Sequence, residues 1–112
     1  MPFLSDKNKI NLNAILESVN KIKNFTAGIN NSMEFYEDEK TFDSVLMNFI
    51  VIGESVTKLD ETFKNTHPHV SWNKIKSFRN IIAHNYFGID EKRFGNWFFL
   101  IYQIWNKTLK KI

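Results

Sequence analysis

Within eight residues, Arg79-Asn80-Ile81-Ile82-Ala83-His84-Asn85-Tyr86, the chain carries a permanent cation, an amide, a titratable ring and a phenol. An arginine guanidinium is always charged and can fork onto two phosphate oxygens. An imidazole exchanges a proton near neutrality, its reference pKa being about 6.5. A cation and a general acid/base, with no carboxylate cluster, suit attack by an RNA 2′-hydroxyl on its own phosphodiester. That reaction needs proton transfer and charge stabilisation at phosphorus, and it requires no metal. The same residues also admit a plainer reading, a surface arginine and a capping histidine near a helix end.

Spacing constrains how these groups meet. On a regular helix, Arg79 and His84 lie about 140° apart around the axis. Asn80 and His84 share one face, and Arg79 and Tyr86 share another. Either the helix ends or distorts before His84, or a second chain helps to complete the site.

The elements that position these residues are legible from apolar periodicity. Leu12, Ile15, Leu16, Val19 and Ile22 recur at three- and four-residue spacing, which predicts an amphipathic helix between an N-cap at Ser5 and a stop at Gly28. A second helix is predicted from about Thr41, with Phe42, Val45, Leu46, Phe49, Ile52, Val56, Leu59 and Phe63 on its apolar face. Gly53 interrupts that face where another helix can approach closely. Residues 65–70, with Pro68, form a loop. Ser71 can cap a third helix that carries the Arg79–Tyr86 segment. Gly88-Ile89-Asp90 breaks it and leads into a last helix with Phe94, Trp97, Phe98, Ile101, Trp105 and Leu109 on one face. A further short turn of helix is predicted near Met33–Glu37. No window alternates with the period of a strand. The prediction is an all-α, antiparallel bundle of four to five helices in one domain over residues 1–112.

Composition narrows the function classes. The 112 residues include no Cys, which removes disulfides, thiolate nucleophiles and Cys-based zinc sites, and fits a reducing cytoplasm. A net charge of +3 is compatible with a polyanion but is far from a basic nucleic-acid arm. No signal peptide is expected at the start, and the apolar run from Trp97 to Trp105 is too short to span a membrane. Aromatic residues make up 15% of the chain, enough to fill a core and to cover a subunit interface. His67-Pro68-His69 lacks the acidic or Cys partners of a usual metal set, so these histidines are expected to be solvated loop residues. Lys74, Lys76, Arg79 and Arg93 form a loose basic group that either holds RNA or is a solvated face. Trp97, Phe98, Phe99 and Trp105 suit core or dimer packing better than base stacking. Glu54, after Gly53 on a mostly apolar face, is either an orienting partner of Arg79 or His84, or a rim charge.

Arg79–Tyr86 fits the pattern R-x4-H-x-Y, and here the chain resembles HEPN-domain ribonuclease toxins of the HepT-like family, whose antitoxin is a minimal nucleotidyltransferase. Asp43, Ile52-Gly53-Glu54, Trp72 seven residues before Arg79, Asn80, and Gly88-Ile89-Asp90 follow the same pattern, so the similarity runs from about Asp43 to Trp105. Ser71 departs from it, since many members carry Pro there, but either residue can start a helix. The resemblance implies catalytic Arg79 and His84 supported by Asn80, no cofactor, an RNA substrate, and a homodimer whose two motifs line a shared cleft. It also implies that the partner enzyme silences the toxin by transferring AMP to Tyr86. The alternative within the same fold is a non-catalytic subunit that presents Tyr86, or a nucleotide, to a nucleotidyltransferase.

Overall fold

A computed structural model describes residues 5–85, apart from the side chains of Ser32, Tyr36 and Asn85. They form α1 (Asp6–Thr26), α2 (Ser32–Glu37), α3 (Glu39–Lys58), α4 (Glu61–Asn65) and α5 (Trp72–Asn85). The expected all-α architecture is what the described residues build. Tyr86, the Gly88-Ile89-Asp90 step, Arg93 and the predicted last helix lie outside them.

Helix starts follow local chemistry. The Ser5 hydroxyl accepts from the Asn8 N–H at 3.1 Å, satisfying one of the N–H groups that a helix start leaves without partners. Asn31 does the same for α2, accepting from Glu34 N–H at 2.9 Å. Asp38 caps α3 by accepting from the backbone N–H and the hydroxyl of Thr41, at 3.1 and 2.8 Å. Those two hydrogen bonds hold the Asp38 carboxyl below its ordinary pKa, the hydroxyl contributing more. At α5 the carbonyl of Ser71 accepts the first intrahelical bond, from Ile75 N–H at 3.2 Å.

The core is the expected stripe of each helix turned inward. Ile15, Val19 and Ile22 of α1 meet Val45, Leu46, Ile52 and Val56 of α3, and Ile75 and Ile82 of α5 close the third side. Removing each such side chain from water contributes about 1.5–3 kcal/mol. Phe35 is fully buried and rests on Phe42, ring centroids 5.0 Å apart, which anchors the short α2 to α3.

The reading of one helix from Thr41 through Phe63 needs correction. α3 ends at Lys58, and Leu59 and Asp60 are extended before α4 begins. The side-chain amide of Asn8, buried in α1, accepts from Asp60 N–H at 3.1 Å, and Lys7 Nζ lies 3.3 Å from the Asp60 carboxylate. These contacts set the start of α1 against the end of α3, so the two helices run antiparallel. Leu59 and Phe63 remain buried on either side of the break, so the apolar pattern continues across it.

Candidate active site

Arg79 sits where α5 crosses α3, and Gly53 makes the crossing close. A Cβ at position 53 would collide with Arg79 Cβ and stand 2.6 Å from its Cγ, closer than a side chain can sit. The stem of Arg79 therefore lies over bare helix backbone, and its guanidinium emerges beside Glu54. Glu54 Oε1 accepts from Arg79 Nη2 in an ion pair, and Asn80 Oδ1 accepts from Arg79 Nη1 at 2.7 Å. Arg79 Nε is buried and has no hydrogen-bond partner among the described residues. Glu54 thus stands on Arg79 rather than at a bare rim. The pair is partly open to water, with side chains 32% and 40% exposed. The guanidinium is held at Nη1 and Nη2.

His84 is exposed and lies away from this cluster. α5 is continuous α-helix from Trp72 to Asn85, so it neither ends nor distorts before His84. Of the two ways to reconcile the spacing, the broken helix is overturned. On an unbroken helix, the residues sharing a face with His84 are Asn80, Ser77 and Asn73, at spacings of four, seven and eleven. Asn73, Lys76, Ser77 and His84 are exposed and Asn80 is half-buried. Asn80 therefore links two faces: it belongs to the His84 stripe and bonds to Arg79. The periodicity that carries this stripe toward the start of α5 was readable in the sequence. The groove into which it leads was not.

The loop between α4 and α5 is built around rings. Trp72 Nε1 donates to the carbonyls of Lys64 and His67, both at 3.1 Å, and the Phe63 ring lies 6.4 Å from the Trp72 ring. His67 Nδ1 approaches the Phe63 carbonyl at 3.1 Å, and the His67 and His69 rings meet edge-on at 6.0 Å. Among the described residues no three His, Asp or Glu side chains gather as metal ligands. No described helix is long and apolar enough to cross a membrane.

The chain belongs to the ribonuclease HepT-like family, whose model matches residues 15–98, and its helical bundle with Arg79 and His84 on one helix agrees with that. A Methanocaldococcus jannaschii protein named "Putative RNase MJ0127" is 40% identical over 76 residues, 68% of this chain and 62% of that protein. A second from the same organism, "Putative RNase MJ1380", is 32% identical over 98 residues, 88% of this chain and 83% of its own length. The "Probable ribonuclease HepT" of Thermococcus cleftensis is 33% identical over 79 residues, covering 70% of this chain and 71% of that protein. The match thus spans less than two thirds of the first of these relatives. No solved structure matches.

Proposed function

We propose that the chain is a metal-independent endoribonuclease, the toxin of a toxin–antitoxin pair. The observation that carries this reading is the Arg79 guanidinium, held by Glu54 and Asn80 on an unbroken helix that also carries an exposed His84. In the reaction the 2′-oxygen attacks the adjacent phosphorus, its proton leaves to a base, and the 5′-oxygen departs with a proton. His84 moves the proton, and Arg79 donates to the oxygens on which charge develops. Asn80 positions Arg79. The products carry 2′,3′-cyclic phosphate and 5′-hydroxyl ends.

Because α5 is unbroken, Arg79 and His84 of one chain diverge by about 140°. A homodimer in which the motifs of two chains face a shared cleft would supply the missing convergence. Tyr86, seven residues after Arg79 in the sequence, is the residue to which a nucleotidyltransferase antitoxin transfers AMP. The added bulk and negative charge on the motif would repel RNA phosphate.

The test is cleavage of RNA by purified, unmodified protein in EDTA, with a 2′-deoxy substrate as the inert control. Loss of activity on chelation, restored by a divalent ion, would sink the metal-free mechanism. Light scattering should give about twice the 13.3 kDa chain mass, and a monomer at micromolar concentration removes the shared cleft. Tyr86→Phe should keep most cleavage and escape silencing, so cells that also hold the antitoxin are still poisoned. If no RNA is cut while the protein still binds the nucleotidyltransferase, the non-catalytic reading takes its place.

A further inference from the structure

At the start of α5 the surface opens into a cleft of about 470 Å³, walled by Glu61 and Lys64 of α4, Pro68 of the loop, and Trp72, Asn73 and Lys74 of α5. The walls are held in place. The Trp72 indole is pinned by two carbonyls, Lys64 is paired with Glu61 at 3.1 Å, and its side chain is only 13% exposed. Val70, beneath, is buried. Lys74 reaches the cleft from an exposed position on α5. The lining combines two lysines, of which Lys64 is paired with the Glu61 carboxylate and Lys74 lies on the α5 side, with the amides of Asn65 and Asn73 and the Trp72 ring. That mixture fits a sugar–phosphate backbone better than an apolar ligand, which calls for a mostly apolar lining.

The cleft is continuous with the reactive helix. Asn73, at its rim, begins the exposed stripe that runs through Lys76, Ser77 and Asn80 to His84. Eleven residues separate Asn73 from His84, about 16 Å along the axis. At about 3.4 Å per stacked nucleotide, that is about five nucleotides. We infer that this cleft is a second RNA-binding subsite, in which Lys74 and Asn73 hold the backbone of the substrate strand several nucleotides from the bond that His84 attacks. The inference rests on the ribonuclease reading for its substrate but not for its geometry.

The subsite makes binding depend on substrate length. A dinucleotide reaches His84 without reaching Lys74, whereas a decamer reaches both. Full-length wild type, Lys74→Ala and Lys74→Arg are compared on the two substrates, with kcat and KM separated. Lys74→Ala should raise KM several-fold for the decamer alone and leave kcat unchanged, and Lys74→Arg should restore the wild-type value. Anisotropy with an uncleavable 2′-O-methyl decamer supplies a second readout. The slope of log affinity against log salt should fall by about 0.7 in Lys74→Ala, the loss of one single-strand phosphate contact. An unchanged decamer KM and salt slope overturns the subsite. So does an equal deficit on both substrates, which is the mark of a general change in the fold. A variant that keeps its RNA affinity but no longer binds the antitoxin shows that the cleft receives a protein instead. The binding measurement needs no cleavage, so an inactive wild type counts against the ribonuclease reading and leaves the subsite to be judged by anisotropy.

Discussion

Gly53 gives Arg79 its seat: the space a Cβ would occupy at residue 53 is taken by the first carbons of the Arg79 side chain. Those carbons are next to the α5 backbone and cannot swing away as the tip of a long side chain can. Gly53→Ala therefore forces the two helices apart. The substitution gains about 1 kcal/mol of helix propensity, against about 1–3 kcal/mol for overpacking a close crossing. Melting should show a net loss of stability of about 1 kcal/mol. RNA cleavage should fall by more than that loss explains, because Arg79 leaves its place between Glu54 and Asn80. A variant with unchanged melting and cleavage would mean that the crossing is loose.

Glu54→Gln separates charge from shape at the same site. The amide keeps an acceptor for Arg79 Nη2 but removes the carboxylate. Since both side chains are about a third exposed, the stability change should stay within about 1 kcal/mol. If the carboxylate orients Arg79 for phosphate, kcat falls while KM moves little. Arg79→Lys should also lose most cleavage, because an ammonium cannot hold Glu54, Asn80 and phosphate in one plane.

His84→Ala removes the proton-transfer group and should lower cleavage by about 10²–10⁴-fold. Its melting temperature should match the wild type, since His84 is exposed and supports no core contact. Full activity in this variant would falsify the assignment of His84.

The cap of α3 predicts a pH dependence with a definite sign. Asp38 has its carboxyl pKa lowered by Thr41, so its folded value lies below its unfolded one. Its contribution to stability is fully present above the unfolded value, near 3.8, and is lost as pH falls through the folded value. Wild type and Asp38→Ala should differ in melting temperature at pH 6, and the gap should close as the pH is taken below 3.8. A gap that persists at low pH would show that the cap works without its charge.

What was readable in the sequence and what was not divide along the range of the interactions. Ser5 acts on Asn8, three residues away, so the start of α1 is legible in the local sequence. Asp38 acts on Thr41, also three away, but the apolar stripe begins only at Phe42, so periodicity places the start of α3 near Thr41, about two residues past Glu39. The break at Leu59–Asp60 depends on Asn8, 52 residues away, and no Gly or Pro marks it. The role of Glu54 depends on how α3 and α5 cross, 25 residues apart, and the glycine beside it is the only local sign of that crossing. Arg79 and His84 were recognisable by type, but whether the helix between them bends is a property of the folded chain.

The hydrogen bond from Asp60 to Asn8 has a consequence at a distance. Asp60 immediately precedes α4, and α4 supplies Glu61 and Lys64 to one wall of the cleft, whereas α1 supplies nothing to it. The first turns of the chain thus act as a remote hinge-pin for a groove they never touch. Asn8→Ala leaves the Asp60 N–H without its partner, at about 1–3 kcal/mol. It should also let α4 pivot, so that KM for the decamer rises while KM for the dinucleotide holds. Equal effects on the two substrates would mean that the pin secures the bundle alone.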